Sequence, residues 1–151
     1  MTKLQIFVSY SQVSVFDASL TRPFNNWTPA HVAQGFSWRS GSAAFKTPSE
    51  SGKYNVQILE GYTEIPISAS SIRVIEVPFL VPDTGAIEVA SISDGQRLKL
   101  VPGLYELRYE ASSERTIRFV FMKEKEPRFS ILRADPDLAP KYPLLEIAEP
   151  A

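Results

Sequence analysis

Leu4, Ile6, Val8 and Tyr10 occupy every second position, with Gln5, Ser9 and Ser11 on the opposite side, so an extended segment turns one apolar face to a core. The apolar positions then move to Val13 and Val15. A slip of one residue turns every side chain of a strand to its other face, so this change of parity requires a bulge or a short turn near Ser11-Gln12. Short segments of the same kind recur at 54–59, 72–81, 86–92, 104–109, 116–122 and 129–132, each bounded by Gly, Pro, Ser, Asp or charged residues. One segment differs. Thr28-Pro29-Ala30-His31-Val32-Ala33-Gln34-Gly35 has an N-cap threonine, a proline at the first helical position and a closing glycine, and reads as a short helix.

Many short strands, one short helix and twelve prolines favour an all-β fold, an antiparallel two-sheet β-sandwich with one short helix. Arg118–Met122 and Val77-Pro78-Phe79-Leu80-Val81 are nearly continuous apolar runs, and the proline in the second implies a sheet edge or a bulge. From Lys123 the texture changes to Lys123-Glu124-Lys125-Glu126-Pro127 and then to Asp135-Pro136-Asp137-Leu138-Ala139-Pro140-Lys141-Tyr142-Pro143. Proline neither donates to a sheet ladder nor continues a helix, so an irregular tail is expected, ending in a short strand at 144–147 or in a mobile end. The expected organisation is one domain over 1–151, with a sandwich to about 132 and a proline-rich tail over about 133–151.

A chain of 151 residues buries enough surface to fold without a metal or a disulfide. Sixteen basic against seventeen acidic residues, scattered without a basic run, argue against direct nucleic-acid binding, which requires clustered positive charge. The absence of cysteine removes disulfides, thiolate nucleophiles and cysteine zinc sites. Polar residues interrupt the N-terminal apolar stretch and no segment reaches about 18 apolar residues, so no signal peptide or transmembrane segment is expected, and a cytoplasmic location is. The glycosylation pattern Asn26-Trp27-Thr28 is then a chance match.

The search for chemistry returns little. His31 is the only histidine and reads as a surface residue of the helix, with no second histidine and no cysteine to build a zinc site. No serine-nucleophile elbow, phosphate-binding glycine loop or His-Glu-x-x-His element occurs. The carboxylate pairs Asp135/Asp137 and Glu124/Glu126 lie in polar, proline-flanked stretches and read as solvated charges rather than an acid–base pair. Asp83 with Gly85 and Asp94 with Gly95 read as turns. No catalytic residue, metal ligand or cofactor is assigned. Trp27 and Trp38 flank the helix; tryptophan is enriched in interface hot spots, although core or half-core packing is its commoner role.

The order of several short motifs resembles the competence protein J family, the inhibitors of a DNA-entry nuclease. They are Val8-Ser9-Tyr10-Ser11-Gln12-Val13-Ser14-Val15-Phe16, Asn26-Trp27-Thr28, Gly35-Phe36 and Ala44-Phe45, then Val77-Pro78-Phe79-x-Val81, Gly85-Ala86-Ile87-Glu88-Val89-x-Ser91-Ile92 and Leu100-Val101-Pro102-Gly103-Leu104-Tyr105-Glu106-Leu107. The resemblance covers about residues 4–109. It departs after Tyr109 and in the longer proline-rich tail.

The resemblance implies a non-catalytic inhibitor or immunity-type protein that blocks a small, metal-dependent, non-specific deoxyribonuclease. That cognate enzyme would be the protein partner, and any membrane attachment would come through it. Such an inhibitor needs a preorganised face toward the nuclease's basic groove or metal site, with carboxylates to pair with Arg and Lys. Asp135, Asp137 and Glu146, with Trp38 as an aromatic anchor, are the candidate contacts; solvated tail charges and a core tryptophan are their plain structural readings. The alternative is a β-sandwich binding module for a small molecule or a carbohydrate. It requires an aromatic-lined pocket.

Overall fold

The computed structural model describes residues 1–62, 64–123 and 126–151, and Glu124 of the Glu124/Glu126 pair therefore lies outside the described residues. In chain order the elements are β1 (Thr2–Val8), β2 (Gln12–Asp17), α1 (Pro29–Gln34), β3 (Phe36–Arg39), β4 (Ser42–Lys46), β5 (Gly52–Gly61), β6 (Ser71–Val81), β7 (Ala86–Ala90), β8 (Gly95–Lys99), β9 (Gly103–Ser112), β10 (Thr116–Met122) and β11 (Ser130–Arg133). They form two sheets, one ordered β1-β5-β10-β9-β6-β11 and the other β3-β4-β2-β7-β8. The fold is the expected two-sheet sandwich with one short helix. One pairing departs from the antiparallel expectation, because β10 runs parallel to β5, with Phe119 opposite Ile58.

The parity break is a change of sheet. β1 belongs to the first sheet and β2 to the second, and they are joined by a two-residue turn closed by the Ser9–Gln12 bridge. Its central residues Tyr10 and Ser11 both have left-handed backbones, φ 57° and 55°, the sign at both positions that a tight hairpin turn of the mirror-image kind requires. After the turn Val13 and Val15 face the same core as Ile6 and Val8, now from the opposite sheet. Between the sheets Phe45 stacks on Tyr109 with centroids 4.6 Å apart, and Phe119 lies 5.8 Å from Phe45.

β6 is open at Pro78, as its proline requires. β11 pairs only with residues 74–76 of β6, while β9 lines its whole other side. A residue's N–H and C=O point to the same side of a strand. The Pro78 carbonyl accepts 2.7 Å from the Trp38 indole N–H on the side away from β9, so the missing N–H costs no ladder bond there.

Strands β3, β4 and β8 escape a hydrophobic pattern for a physical reason. β8 (Gly-Gln-Arg-Leu-Lys) is an exposed edge whose charges discourage further pairing. In β4 and its neighbours, Ser37, Ala44 and Ser14 lie side by side on the outer face of the sheet and are fully buried. The segment before α1 lies over them: the Asn25 amide donates to the Ser37 and Ser42 carbonyls at 2.8 and 3.0 Å, and Ser37 Oγ donates to Asn26 O at 2.8 Å. Small residues are selected where a loop lies flat on a sheet, and they carry no strand signal.

Candidate functional site

The tail is docked along the helix, and of the two alternatives for its end the short strand at 144–147 does not form. Leu138 is buried in the core, and its methyl groups lie 3.0 Å from where a Cβ on Gly35 would stand. Gly35 thus serves twice: its φ of 86° ends α1, and its bare Cα admits Leu138. Ala139 N–H donates to Ala33 O, and the Gln34 side chain clasps Leu145 on both sides, donating to its carbonyl and accepting from its N–H, each at 2.9 Å. Farther on, Asn26 N–H donates to Glu149 O at 2.8 Å.

His31 is not the surface residue its helix suggested; it is 2% exposed. Its Nδ1 accepts the Thr28 backbone N–H at 3.0 Å, while Thr28 Oγ1 accepts from the His31 N–H, so histidine fills the place usually held by Glu or Gln in a capping box. Its Nε2 lies 3.0 Å from the Ile147 carbonyl, which only accepts, so the hydrogen-bond pattern assigns Nε2 as the donor to the tail. One side chain therefore caps the helix and holds the tail. We expect His31→Ala to lower the unfolding free energy by about 1–3 kcal/mol, the cost of an orphaned buried N–H and a lost cap. His31→Gln should recover part of that through the cap alone. Urea midpoints at unchanged slope measure both, and equal loss in the two variants would show that the cap contributes nothing.

Asp135 and Asp137 converge on Arg73, whose side chain is fully buried at the end of the core. Asp135 grips it with two parallel bonds of 2.8 Å, from Nε and Nη2, and Asp137 adds a third at 3.2 Å. Arg73 Nη1 donates at 2.8 Å to the Lys46 carbonyl of the opposite sheet. Burial by itself would raise the pKa of Asp135, but the hydrogen bonds and charge of Arg73 outweigh it and hold the carboxyl below its usual range. The solvated-charge reading therefore fails for Asp135. Asp137, 53% exposed, also pairs with Lys46 Nζ at 3.3 Å, and Glu146 is exposed. Trp38 is half-buried, its ring edge against Phe129 with centroids 5.0 Å apart. Of the four candidate contacts, Asp137 and Glu146 present themselves to solvent. Trp38 and Asp135 are engaged within the fold.

The turn and the helix enclose a cleft of about 300 Å³ lined by Tyr10, Ser11, Gln12, Trp27, Val32 and Lys46. It lies between the sheet-changing turn and α1, with Tyr10 74% and Val32 41% exposed. Trp27 is half-buried and absent from the central core, the half-core packing of the two plain roles expected for it. Two buried polar atoms of its lining residues, Gln12 Oε1 and Trp27 Nε1, have no hydrogen-bond partner among the described residues. Buried polar groups are nearly always paired, with protein or with ordered water.

Charge is also divided unevenly. Residues 134–151 carry Asp135, Asp137, Glu146 and Glu149 against Lys141, which leaves 15 of the 16 basic and 13 of the 17 acidic residues in 1–133. The sandwich is weakly basic, and the tail beside α1 gathers the acid. Among the described residues no group of three or more His, Cys, Asp or Glu could hold a metal ion, and no helix is long and apolar enough to cross a membrane.

Comparison with known proteins adds two matches. A family model described as Competence protein J (ComJ) matches residues 5–129. A crystal structure of ComJ from Bacillus subtilis, described as an inhibitor of the DNA degrading activity of NucA, shares the fold with a TM-score of 0.71. Its identity is 21%, over 82% of this chain and 96% of that chain. No curated protein sequence matches. All six residues that line the cleft fall within the matched 5–129; the acidic tail follows it.

Proposed function

The chain belongs to the competence protein J (ComJ) family, and from that premise we propose that it is a non-catalytic inhibitor that binds and blocks a small, metal-dependent, non-specific deoxyribonuclease. The observation that carries the reading is the family match over 5–129, joined to a fold shared with a protein described as inhibiting NucA. A cytoplasmic location and a single nuclease as partner belong to the same proposal.

Physically, inhibition of this kind needs a rigid surface that competes with DNA phosphates for the enzyme's cationic groups. The acidic tail suits that task because it is fixed rather than free: its backbone is bonded to Asn26, His31, Ala33 and Gln34. Carboxylates held in place lose little conformational freedom on binding, and opposite potentials speed the encounter.

The test is a DNA-degradation assay with a small, metal-dependent, non-specific deoxyribonuclease from the same organism, sought first among the genes beside that for this chain. Protection that saturates at a stoichiometric ratio is expected. Unchanged cleavage, with no complex in calorimetry, removes the reading. A second reading, a binding module for a small molecule or a carbohydrate, draws on the half-buried Trp27 in its cleft. It predicts saturable quenching of Trp27 fluorescence by a sugar panel.

A further inference from the structure

We infer that the cleft between the Tyr10-Ser11 turn and α1 is the anchoring centre of the nuclease-binding face, with Tyr10 the side chain that the partner buries. The inference rests on the inhibitor reading and adds the contacting surface to it.

Strain is the first support. Tyr10 and Ser11 hold left-handed backbones that glycine or asparagine adopt at far lower cost. A turn shaped for stability alone would read Asn-Gly. Instead it presents a tyrosine, 74% exposed, on a backbone held by two further bonds: Ser11 N–H donates to Glu50 O and Thr47 N–H to Ser11 O, both at 2.8 Å. Tyrosine offers a large contact area with only two side-chain torsions to fix, and with tryptophan it dominates interface hot spots.

The make-up of the cleft is the second support. Exposed Tyr10 and Val32 and half-buried Trp27 line it together, so a partner's side chain can pack against aromatic and aliphatic surface at once.

Charge selects the partner. Asp137 is tied to the cleft through Lys46, exposed Glu50 adjoins the turn, and Glu146 precedes Ile147, whose carbonyl holds His31 beside Val32. An enzyme that grips DNA without sequence preference does so through phosphate contacts and must carry Lys and Arg around its groove. A centre of Tyr10, Trp27 and Val32, with the one cation of its lining, Lys46, paired to Asp137 and with exposed Glu50 and Glu146 nearby, fits the rim of such a groove.

The test separates strain from binding. In Tyr10→Asn/Ser11→Gly the turn gains residues suited to its backbone and loses the aromatic ring. We expect the melting temperature to rise by a few degrees while inhibition of the deoxyribonuclease that the wild-type chain blocks weakens at least about 30-fold, the scale of one hot spot. Val32→Lys, at an exposed position, should weaken it as well through like charge. Leu104→Ser, at an exposed position on the outer face of the other sheet, should leave it unchanged. Full inhibition by both cleft variants overturns the inference, and loss in Leu104→Ser alone moves the face to the other sheet; in either case the inhibitor reading stands. A wild-type chain that neither binds nor protects removes both together.

Discussion

Replacing Asp135 by asparagine should lower the unfolding free energy by about 3–5 kcal/mol, because it leaves a fully buried guanidinium short of its principal counter-charge. That is a large share of the roughly 5–15 kcal/mol that holds a domain together. Asp137 cannot make good the loss; it supplies one bond at 3.2 Å and is 53% exposed. The pH dependence follows from the direction of the Asp135 shift. A carboxyl whose folded pKa is depressed contributes stability that is complete above its unfolded value, 3.8, and fades as pH falls through the lower folded value. Wild type should therefore lose stability on acidification below about pH 4, and Asp135→Asn should lose less over the same interval. Arg73→Met/Asp135→Leu, which removes both charges, should recover most of the loss. Urea titrations across this range decide the matter. A single variant within about 1 kcal/mol of wild type would show that the ion pair is ornamental.

Deleting residues 134–151 should have the larger effect. The truncation removes Asp135 from Arg73, takes Leu138 out of the core beside Gly35, and releases the bonds from Leu145 and Ile147 to Gln34 and His31. Loss of a buried leucine costs about 2–5 kcal/mol and an unpaired buried charge about as much again, so the sum rivals the whole stability. The truncated chain is expected to lose its cooperative urea transition, with hydrogen exchange accelerated first in α1 and at Gly35. A cooperative transition shifted by less than about 1 kcal/mol would mean that the sandwich stands without the tail.

The sequence was legible where local chemistry decides structure. Period two located β1 and the break after it, and Thr28, Pro29 and Gly35 bounded α1 to the residue, because strand faces and helix caps are set by neighbours in the chain. Less could be read where distant segments meet. Ser14, Ala44 and Ser37 carry no strand signal, since their size is dictated by the segment before α1 lying on them. Asp135 looked solvated because nothing local announces Arg73, and His31 looked exposed because its second partner is Ile147. The candidate site divided in the same way: Asp137 and Glu146 were within reach of a charge argument, whereas the cleft depends on Tyr10, Trp27 and Val32 being brought together by tertiary packing. One signal did exist. A bulky aromatic at the point where parity fails is a residue forced into a turn that does not suit it.

The 62 residues that separate Arg73 from Asp135 also measure time. At roughly 5–20 residues per second of synthesis, the arginine exists for about 3–12 s before its carboxylate is made. The central strands β9 and β10 are made in the same interval, so the sheet that encloses Arg73 and the carboxylate that neutralises it are completed close together in time.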